Sequence, residues 1–235
     1  MISELLKQWC DENKIDINDK QLLQFEKYAE LLKEWNEKMN LTAITDDEGI
    51  AVKHFIDSIA VLKFHDFNGN KKVIDIGTGA GFPGIPLKIM CPEIKLTLLD
   101  SLNKRLVFLT EVCEQLEIKS ELLHARAEEY SLKPEYREQY DVAISRAVAN
   151  LPALCEYCIP YVKVGGTFIS MKGPDGEKEL KAAENAINLL GTKKENVYQI
   201  NLPDESERTI ITIKKTKNTP PKYPRRGQKI NKNPL

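Results

Sequence analysis

One stretch, residues 72–84, constrains the fold more than any other part of the chain. It reads KVIDIGTGAGFPG, an apolar run, an acid and then glycines. A β-branched apolar run bounded by turn residues is typical of a parallel strand covered on both faces. The glycines that follow allow a tight turn in which backbone N–H groups approach a ligand. Pro83 and Pro86 fit the first turn of a helix. The stretch predicts the nucleotide-binding corner of a doubly wound α/β sheet.

Two readings of the glycine turn differ in the nucleotide that it binds. Residues 79–84 match G-x-G-x-x-G, the dinucleotide fingerprint. Against that reading, Asp75 would repel a pyrophosphate, whereas a carboxylate is favourable beside a cationic ligand. An acid, a spacer and Gly-x-Gly-x-Gly resembles the first motif of the S-adenosylmethionine (SAM)-dependent methyltransferases, whose cofactor carries a sulfonium and no phosphate. This motif makes candidate cofactor-binding residues of Asp75, Gly77, Gly79 and Gly81.

The order of the sequence patterns predicts the architecture. Apolar residues recur at steps of three and four over 19–40, which predicts an amphipathic helix with Asp19 as N-cap, and a second helix is predicted over 46–62. From Lys72 onward strand and helix patterns alternate, which indicates a parallel sheet. Five strands are predicted at 72–76, 95–100, 120–124, 140–145 and 166–171, then a helix at 176–190 and an antiparallel pair at 196–202 and 208–215.

The sequence therefore predicts a Rossmann-like α/β fold of the methyltransferase type, with a mostly parallel sheet and an antiparallel last strand. We expect an N-terminal helical cap over 1–66, a SAM-binding domain over 67–216 and a basic extended tail over 217–235. The 235 residues are enough to bury a full core in one such domain.

Several general properties limit the class of protein. No apolar run approaches the roughly 18 residues of a membrane span, and the first residues lack the pattern of a secretory signal. Five irregularly spaced cysteines suggest reduced thiols. We expect a cytoplasmic monomer with no membrane contact.

Asp100 ends the second predicted strand, some twenty residues beyond the glycine turn. Ligands of such sheets lie outside the carboxyl ends of the strands, where a carboxylate can accept both ribose hydroxyls of the cofactor. The alternative is an acid that caps the following helix. Ala127 and Glu128 follow the third strand, where a backbone N–H and a carboxylate suit the N1 and amino edges of an adenine ring. Glu128 could equally begin a surface helix.

The segment after the fourth strand, 145–149, reads SRAVA. Amine-methylating relatives carry Asn/Asp-Pro-Pro-aromatic here, and this chain does not. It also lacks a Pro-Cys nucleophile for methylation of cytosine C5 through a covalent adduct. An acceptor that is already nucleophilic, such as guanine N7, fits both observations. Arg146 is the candidate catalytic residue, either at the guanine O6 edge or at the cofactor carboxylate.

Other residues suggest metal sites only weakly. Cys155 and Cys158 form a lone C-x-x-C, for which packing is the favoured role. The three histidines share no ligand spacing. We expect no metal site. His54 and Asp57 lie one helical turn apart in the predicted cap, where they either contact RNA or form a structural pair.

The C-terminal segment is strongly basic. From Lys214 to Leu235 there are eight Lys or Arg and no Asp or Glu, although the whole chain has a net charge of −1, so the rest of the chain is acidic. This asymmetry indicates a polyanionic partner. The candidate RNA-binding residues are Lys222, Tyr223, Arg225, Arg226 and Lys229, with Tyr223 stacked on a base and the cations on phosphates. The alternative is a solvated charged end.

With these residues assembled, the chain resembles the glucose-inhibited division protein B family of bacterial ribosomal RNA methyltransferases. The resemblance runs through WNEKMNLT at 35–42, HFIDS at 54–58, DIGTGAGFPG at 75–84, DSLNKR at 100–105, RAE at 126–128, SRAVA at 145–149 and PKYPRRG at 221–227. It implies SAM-dependent methylation of guanine N7 in 16S ribosomal RNA, as free RNA or in the small subunit. It also implies cofactor contacts at Gly77, Phe82, Ala127, Glu128 and Arg146.

Three alternatives remain at this point. A small-molecule methyltransferase would leave the basic C-terminal segment unexplained. An NAD-dependent oxidoreductase would use the G-x-G-x-x-G match. A ribosome-assembly protein would bind RNA without transferring a methyl group.

Overall fold

A seven-stranded sheet in the order β3-β2-β1-β4-β5-β7-β6 forms the centre of the protein. The computed structural model describes residues 1–146 and 148–235. Strands β1 to β5 are parallel, and β7 is antiparallel to both β5 and β6. The strands are β1 Lys72–Ile76, β2 Lys95–Asp100, β3 Ser120–His124, β4 Tyr140–Arg146, β5 Val162–Lys172, β6 Thr192–Asn201 and β7 Glu207–Lys215. The predicted fold class is confirmed.

The helices cover both faces of this sheet. They are α1 Ile2–Asn13, α2 Asp19–Met39, α3 Asp47–Gly49, α4 Asp57–Ile59, α5 Gly84–Met90, α6 Asn103–Gln115, α7 Ala127–Tyr130, α8 Leu151–Cys158, α9 Gly176–Ala182, α10 Glu184–Leu189 and α11 Gly227–Lys232. A π-helical stretch, Ile50–Ile56, joins α3 to α4, and 3₁₀ turns follow at Ala60–Lys63 and Ile159–Tyr161.

The strand order reverses at β1, which lies between β2 and β4. Residues 73–76 of β1 are all buried, as expected for a parallel strand covered on both faces. Ile76 is paired with Leu99, and Asp75 with Ile144, so the carboxyl ends of the three central strands reach the same edge. In an open α/β sheet this reversal creates the crevice in which ligands bind.

Several predicted boundaries differ from the structure. The cap of α2 is Asn18 rather than Asp19: its Oδ1 accepts from the Gln21 N–H at 3.0 Å, and Gln21 Oε1 accepts from the Asn18 N–H at 2.9 Å. This reciprocal pair satisfies two orphan N–H groups, which one aspartate at the next position would not do. The predicted helix 176–190 is interrupted at Ala183. Strand β5 begins at Val162, because a register irregularity accommodates Gly165 and Gly166 within it.

The N-terminal helices share one apolar core with a face of the sheet. Phe25 and Leu32 of α2 and Phe55 of the π-helical stretch are fully buried and belong to the same cluster as Val73 and Leu98. A second cluster fills the other face of the sheet with residues of β4, α8 and α10. The proposed boundary near residue 66 therefore separates two groups of elements that pack on each other over a common core.

The prediction of an extended C-terminal tail is wrong. Residues 227–232 form α11, and the whole segment lies on the protein. Buried Lys215 pairs with Glu138 at 3.2 Å, and Glu138 accepts from the Thr219 N–H at 2.7 Å. Arg137 donates to the Thr219 and Tyr223 carbonyls at 2.9 and 3.0 Å. The segment follows the surface without regular apolar spacing, so periodicity gave no sign that it is docked.

In the part of the chain that the structure describes, no helix is both long enough and apolar enough to cross a bilayer.

Candidate active site

The glycines of the turn divide into two that face the crevice and two that face the core. Gly77 and Gly79 are partly exposed with φ of +72° and +61°, a left-handed conformation that favours glycine. A Cβ on Gly79 would meet nothing nearer than 4.0 Å, so open space lies beside it. A Cβ on Gly84 would lie 2.5 Å from Leu98 Cδ2, and one on Gly81 would overlap the Tyr28 hydroxyl. Gly79 leaves room for a ligand, whereas a Cβ on Gly77 would lie 2.5 Å from Val148 Cγ2. Gly81 and Gly84 allow close packing beneath the turn.

Asp75 lies under the turn and does not reach the crevice. The residue is fully buried, and its Oδ2 accepts from the Thr78 hydroxyl at 2.7 Å and from the Gly84 N–H at 2.8 Å. Burial raises the pKa of the Asp75 carboxyl to about 6, although both hydrogen bonds oppose the rise. The prediction that Asp75 binds the cofactor is corrected: its carboxylate holds the turn in shape.

This arrangement argues against a bound pyrophosphate. Gly84 is the first residue of α5, and the N-terminus of a helix after a glycine turn is where a dinucleotide phosphate would bind. Here the N–H at that end donates to the protein's own carboxylate. Other N–H groups of the turn donate to β2: Gly77 to the Leu99 carbonyl at 2.9 Å and Gly79 to Asp100 Oδ2 at 2.9 Å. The geometry thus fits a nucleoside without phosphate.

Asp100, at the end of β2, braces the turn from the other side. Its Oδ2 also accepts from Arg105 Nη1 at 3.1 Å, and its Oδ1 accepts from the Leu102 N–H at 2.9 Å. The last bond is the helix-entry contact that was the alternative to ribose binding. An ionised carboxylate has about four acceptor positions, so three occupied positions leave room for one ribose hydroxyl rather than two. Ribose binding by Asp100 stays a prediction.

A cavity of about 310 Å³ opens beside the turn, at the carboxyl ends of β1 and β2. Its walls include Gly77 and Leu99 on one side and Ala127, Glu128 and Tyr157 on the other. Glu128 is half-buried in the first turn of α7, so it begins a helix and also lines the cavity. Its contact with an adenine ring stays a prediction. The size and the mixed apolar and polar lining suit an adenosine group.

A second, larger cavity of about 670 Å³ lies on the far side of Val148 and Ala149. Both of these residues line both cavities, so they form the partition between them. The larger cavity is lined by Arg146, His54, Asp57 and Arg208, among others. Ala147 of the SRAVA motif lies outside the described residues.

Asp57 holds two arginines at the wall of the larger cavity. This carboxylate is buried, with Oδ2 3.0 Å from Arg146 Nη1 and Oδ1 3.1 Å from Arg208 Nε. Arg146 Nη1 also donates to the Lys53 and His54 carbonyls at 3.2 and 3.4 Å. The cluster fixes Arg146, on β4, and Arg208, on β7, with a single carboxylate from the cap. Among the described residues, Asp57 bonds to these arginines rather than to His54, so the predicted structural pair of His54 and Asp57 is not formed.

His54 and Phe82 stack beside this cluster. Their ring centroids lie 4.6 Å apart with an interplanar angle of 11°, and the Arg146 guanidinium carbon is 5.1 Å from the centroid of Phe82. His54 Nε2 is 2.8 Å from the Thr42 hydroxyl. Burial, followed by the charge of Arg146, lowers the pKa of His54 to about 4, so the imidazole is neutral near pH 7. Phe82 is 6% exposed and packs against His54 and Arg146, and its predicted contact with the cofactor stays a prediction.

The predicted RNA-binding residues separate into two groups. Tyr223 is only 6% exposed and packs in the core, so it cannot stack on a base in this structure. Arg225 makes a two-pronged contact with buried Glu156, with distances of 2.7 and 2.9 Å. These two predictions are corrected, because Tyr223 packs in the apolar core and Arg225 attaches the C-terminal segment to α8. Lys222, Arg226 and Lys229 are exposed and remain candidates.

The lone C-x-x-C lies inside the protein. Cys155 and Cys158 are both fully buried in α8, in the apolar cluster that includes Phe168. Burial raises the pKa of both thiols. Within residues 1–146 and 148–235, no three His, Cys, Asp or Glu side chains come together as metal ligands.

Sequence reasoning missed two features of the site. Arg208 gave no signal, because a single arginine at the start of a strand is ordinary; only the fold brings it to Asp57. Gly227 was read as part of a tail motif, yet it lies against Glu128 at the smaller cavity. A glycine directly after two arginines was the one available hint of close backbone packing.

Three features together define the class of this protein: the order of the strands, the glycine turn whose helix start is occupied by Asp75, and the paired cavities. The class is the Rossmann-like methyltransferases, which use SAM as cofactor. Solved structures with this fold include TrmN from Thermus thermophilus, with a TM-score of 0.53 and 16% identity over 67% of this chain and 48% of that one. A precorrin-6y C5,15-methyltransferase from Geobacter metallireducens also has a TM-score of 0.53, with 17% identity over 67% of this chain and 87% of that one.

Within that class, the sequence model of the GidB family, described as rRNA small subunit methyltransferase G, matches residues 21–211, and the chain belongs to this family. A relative named ribosomal RNA small subunit methyltransferase G from Acetivibrio thermocellus is 53% identical over 94% of this chain and 91% of that protein. Another with the same name, from Clostridium kluyveri, is 51% identical over 99% and 98%. The resemblance seen in the sequence is confirmed.

Proposed function

We propose that this protein transfers the methyl group of SAM to N7 of a guanine in 16S ribosomal RNA. Family membership and the names of relatives about 50% identical support a methyltransferase that acts on small-subunit ribosomal RNA. The choice of guanine N7 rests on the sequence resemblance and on the missing amine and C5 methylation motifs after β4. We further propose a monomer that acts in the cytoplasm, on free RNA or on the small subunit.

One observation carries the proposal: two cavities of different character meet at a two-residue partition. The smaller, beside the glycine turn, suits the adenosine of the cofactor, and the larger contains the two arginines. Methyl transfer requires a donor and an acceptor in line across a short distance. Two cavities that share Val148 and Ala149 are adjacent, which supports a donor in one and an acceptor in the other.

The residues of the smaller site fit SAM. Open space beside Gly79 admits a ligand, and no phosphate cradle is available in the turn. We assign the ribose to Asp100, and the adenine to Ala127 and Glu128. Gly77 and Phe82 are assigned to the methionine side, where Arg146 is next to Phe82. When bound, SAM supplies an electrophilic methyl group on a sulfonium.

Positioning and charge, rather than proton transfer, are the tasks left to the protein. Guanine N7 carries a lone pair, so no base has to remove a proton first. The side chains of the larger cavity are consistent with a reaction that needs no base. His54 is neutral and bonds to Thr42, and Arg146 is a permanent cation. A partly buried site with fixed donors suits a reaction in which charge moves onto the purine.

Arg146 has donors to spare for the substrate. Among the described residues, every hydrogen bond of its guanidinium leaves from Nη1. Nε and Nη2 are therefore left to contact either the O6 edge of guanine or the carboxylate of SAM. Both groups are expected near the partition, which is where this side chain lies.

RNA would approach over the exposed cations of the C-terminal segment. Lys222, Arg226 and Lys229 are solvent-exposed, and α11 lies at the mouth of the smaller cavity. Cations in this place neutralise phosphates of the strand that carries the target base.

The test is transfer of radiolabelled methyl from SAM to small subunits and to free 16S RNA from cells that lack this enzyme. We expect one labelled site, with strand cleavage at that site after borohydride and aniline, a treatment specific for N7-methylguanine. Arg146→Ala should lose transfer, whereas Lys119→Ala, an exposed cation at the opposite edge of the sheet, should retain it. A label on another atom, or no label on either substrate, would contradict the proposal.

A further inference from the structure

The C-terminal helix reaches the cofactor end of the site. Helix α11 begins at Gly227, and three of its residues, Gly227, Gln228 and Asn231, line the cavity beside the glycine turn. Gln228 and Asn231 are one helical turn apart and therefore share a face. Both are solvent-exposed and line the cavity, so their amide groups are accessible to a ligand.

A buried ion pair fixes where this helix begins. Glu156 of α8 is fully buried and accepts from the Arg225 backbone N–H at 2.7 Å as well as from the guanidinium at 2.7 and 2.9 Å. Two-pronged arginine–carboxylate pairs are among the most directional polar contacts in proteins. The pair thus sets both the position and the direction of the chain two residues before α11.

Two further contacts hold the helix against the cavity wall. The Tyr157 hydroxyl donates to Asn231 Oδ1 at 2.8 Å. Gly227 lies so close to Glu128 that a Cβ at this position would overlap Glu128 Oε1. A side chain here would displace the end of Glu128, the carboxylate that we assign to the adenine, so the missing side chain lets the helix start rest on that carboxylate.

We propose that Gln228 and Asn231 bind the adenosine group of the cofactor, and that the Glu156–Arg225 pair positions them. A carboxamide offers both a donor and an acceptor, which matches the amino group and ring nitrogens of adenine. The Asn231 amide nitrogen is left for this purpose when its oxygen accepts from Tyr157. This inference rests on the proposed use of SAM, and it assigns to the C-terminal segment a role in binding the cofactor as well as RNA.

The test is calorimetric titration of the full-length protein with S-adenosylhomocysteine. Gln228→Ala and Asn231→Ala should each weaken binding by about threefold to tenfold, the usual scale for one hydrogen bond, and the double variant should weaken it further. Lys232→Ala, on the same helix and exposed, is the matched control and should bind as the wild type does. Thermal unfolding without ligand verifies that each variant is folded.

The outcomes are distinct. Unchanged affinity in the folded double variant overturns the inference, and so does a loss that Lys232→Ala shares equally, because that would reflect the helix as a whole. Failure of the wild-type protein to bind S-adenosylhomocysteine would instead count against the proposed function. Gly227→Ala provides a second variant: we expect weaker binding because its Cβ displaces Glu128.

Discussion

At the residue scale, Asp75 shows how a buried carboxylate determines what the glycine turn can bind. Its oxygen accepts hydrogen bonds from Thr78 and from the first N–H of α5. An internal anion at the helix start leaves no favourable place for a phosphate there. In the sequence, the charge of Asp75 argues against a dinucleotide because it would repel a phosphate. In the structure, the Asp75 carboxylate does not face the ligand but occupies the helix start where that phosphate would bind.

The pH dependence of stability tests this description of Asp75. Its pKa is raised from 3.8 to about 6 in the folded protein. Between these values the folded state holds a proton that the unfolded state has released, so the free energy of unfolding falls as pH rises, by up to about 1.4 kcal/mol per pH unit. We expect Asp75→Asn to lack this component. Urea unfolding of both proteins across the window checks it, and a difference between them that is independent of pH would be contrary evidence.

The charge of Arg146 is predicted to be detectable at His54. Burial and the Arg146 cation both lower the pKa of this imidazole, to about 4. Arg146→Ala removes the second cause, so the pKa should rise but stay below 6.5, because burial is the larger cause. NMR titration of labelled imidazoles measures this, with His54→Gln to assign the signal among the three histidines. A wild-type His54 that titrates at 6.5 would show that it is neither buried nor beside the cation.

At the scale of elements, the turn between β1 and α5 has one face for the ligand and one for the core. A Cβ at Gly84 would lie 2.5 Å from Leu98 and 2.8 Å from Asp75 Oδ2, whereas a Cβ at Gly79 would enter open space. Glycines that look alike in the motif therefore have different reasons to be glycine.

A matched pair of alanine variants separates these two roles. Gly84→Ala should lower stability by about 1–3 kcal/mol through overpacking. Gly79→Ala should cost roughly 1 kcal/mol for its left-handed backbone but should weaken SAM binding more strongly, because its Cβ would project into the open space beside the turn. Denaturant unfolding and calorimetry of both variants give the comparison. The same loss of affinity in both variants, once corrected for unfolded protein, would argue against two faces.

The sequence predicts best those elements whose pattern lies within a few neighbouring residues. The end of β1 was predicted because its apolar run stops at Gly77, and the predicted bounds of β2 and β3 match the observed ones. The cap of α2 moved by one residue because Asn18 and Gln21 act as a pair, which a single-residue preference does not show. Asp57 with Arg208, and Glu156 with Arg225, join residues 151 and 69 positions apart, and no spacing rule predicts such pairs.

At the scale of the whole molecule, the C-terminal segment is a structural part of the enzyme. Composition revealed the charge of this segment but not its attachment, because its buried apolar residues, Tyr223, Pro224 and Ile230, are too few to give a periodic pattern. Deletion of 217–235 would leave Glu156 buried without its partner, which is strongly destabilising. Truncation would therefore disturb folding and cofactor binding together, and point variants are the better test of RNA binding.

We expect the triple variant Lys222→Ala, Arg226→Ala and Lys229→Ala to bind 16S RNA more weakly at low salt and to bind SAM normally. Loss of three phosphate contacts should reduce the slope of log affinity against log salt by about 2. Filter binding over a range of salt concentrations measures this, with Lys119→Ala as the control. An unchanged slope would mean that the RNA lies elsewhere.

The most direct test of the central claim is a crystal structure of the protein with S-adenosylhomocysteine. We expect adenine in the smaller cavity against Ala127 and Glu128, ribose at Asp100, and the sulfur directed past Val148 toward Arg146. Adenosine bound in the larger cavity, or a ligand held at the start of α5 in place of the Asp75 contact, would contradict it.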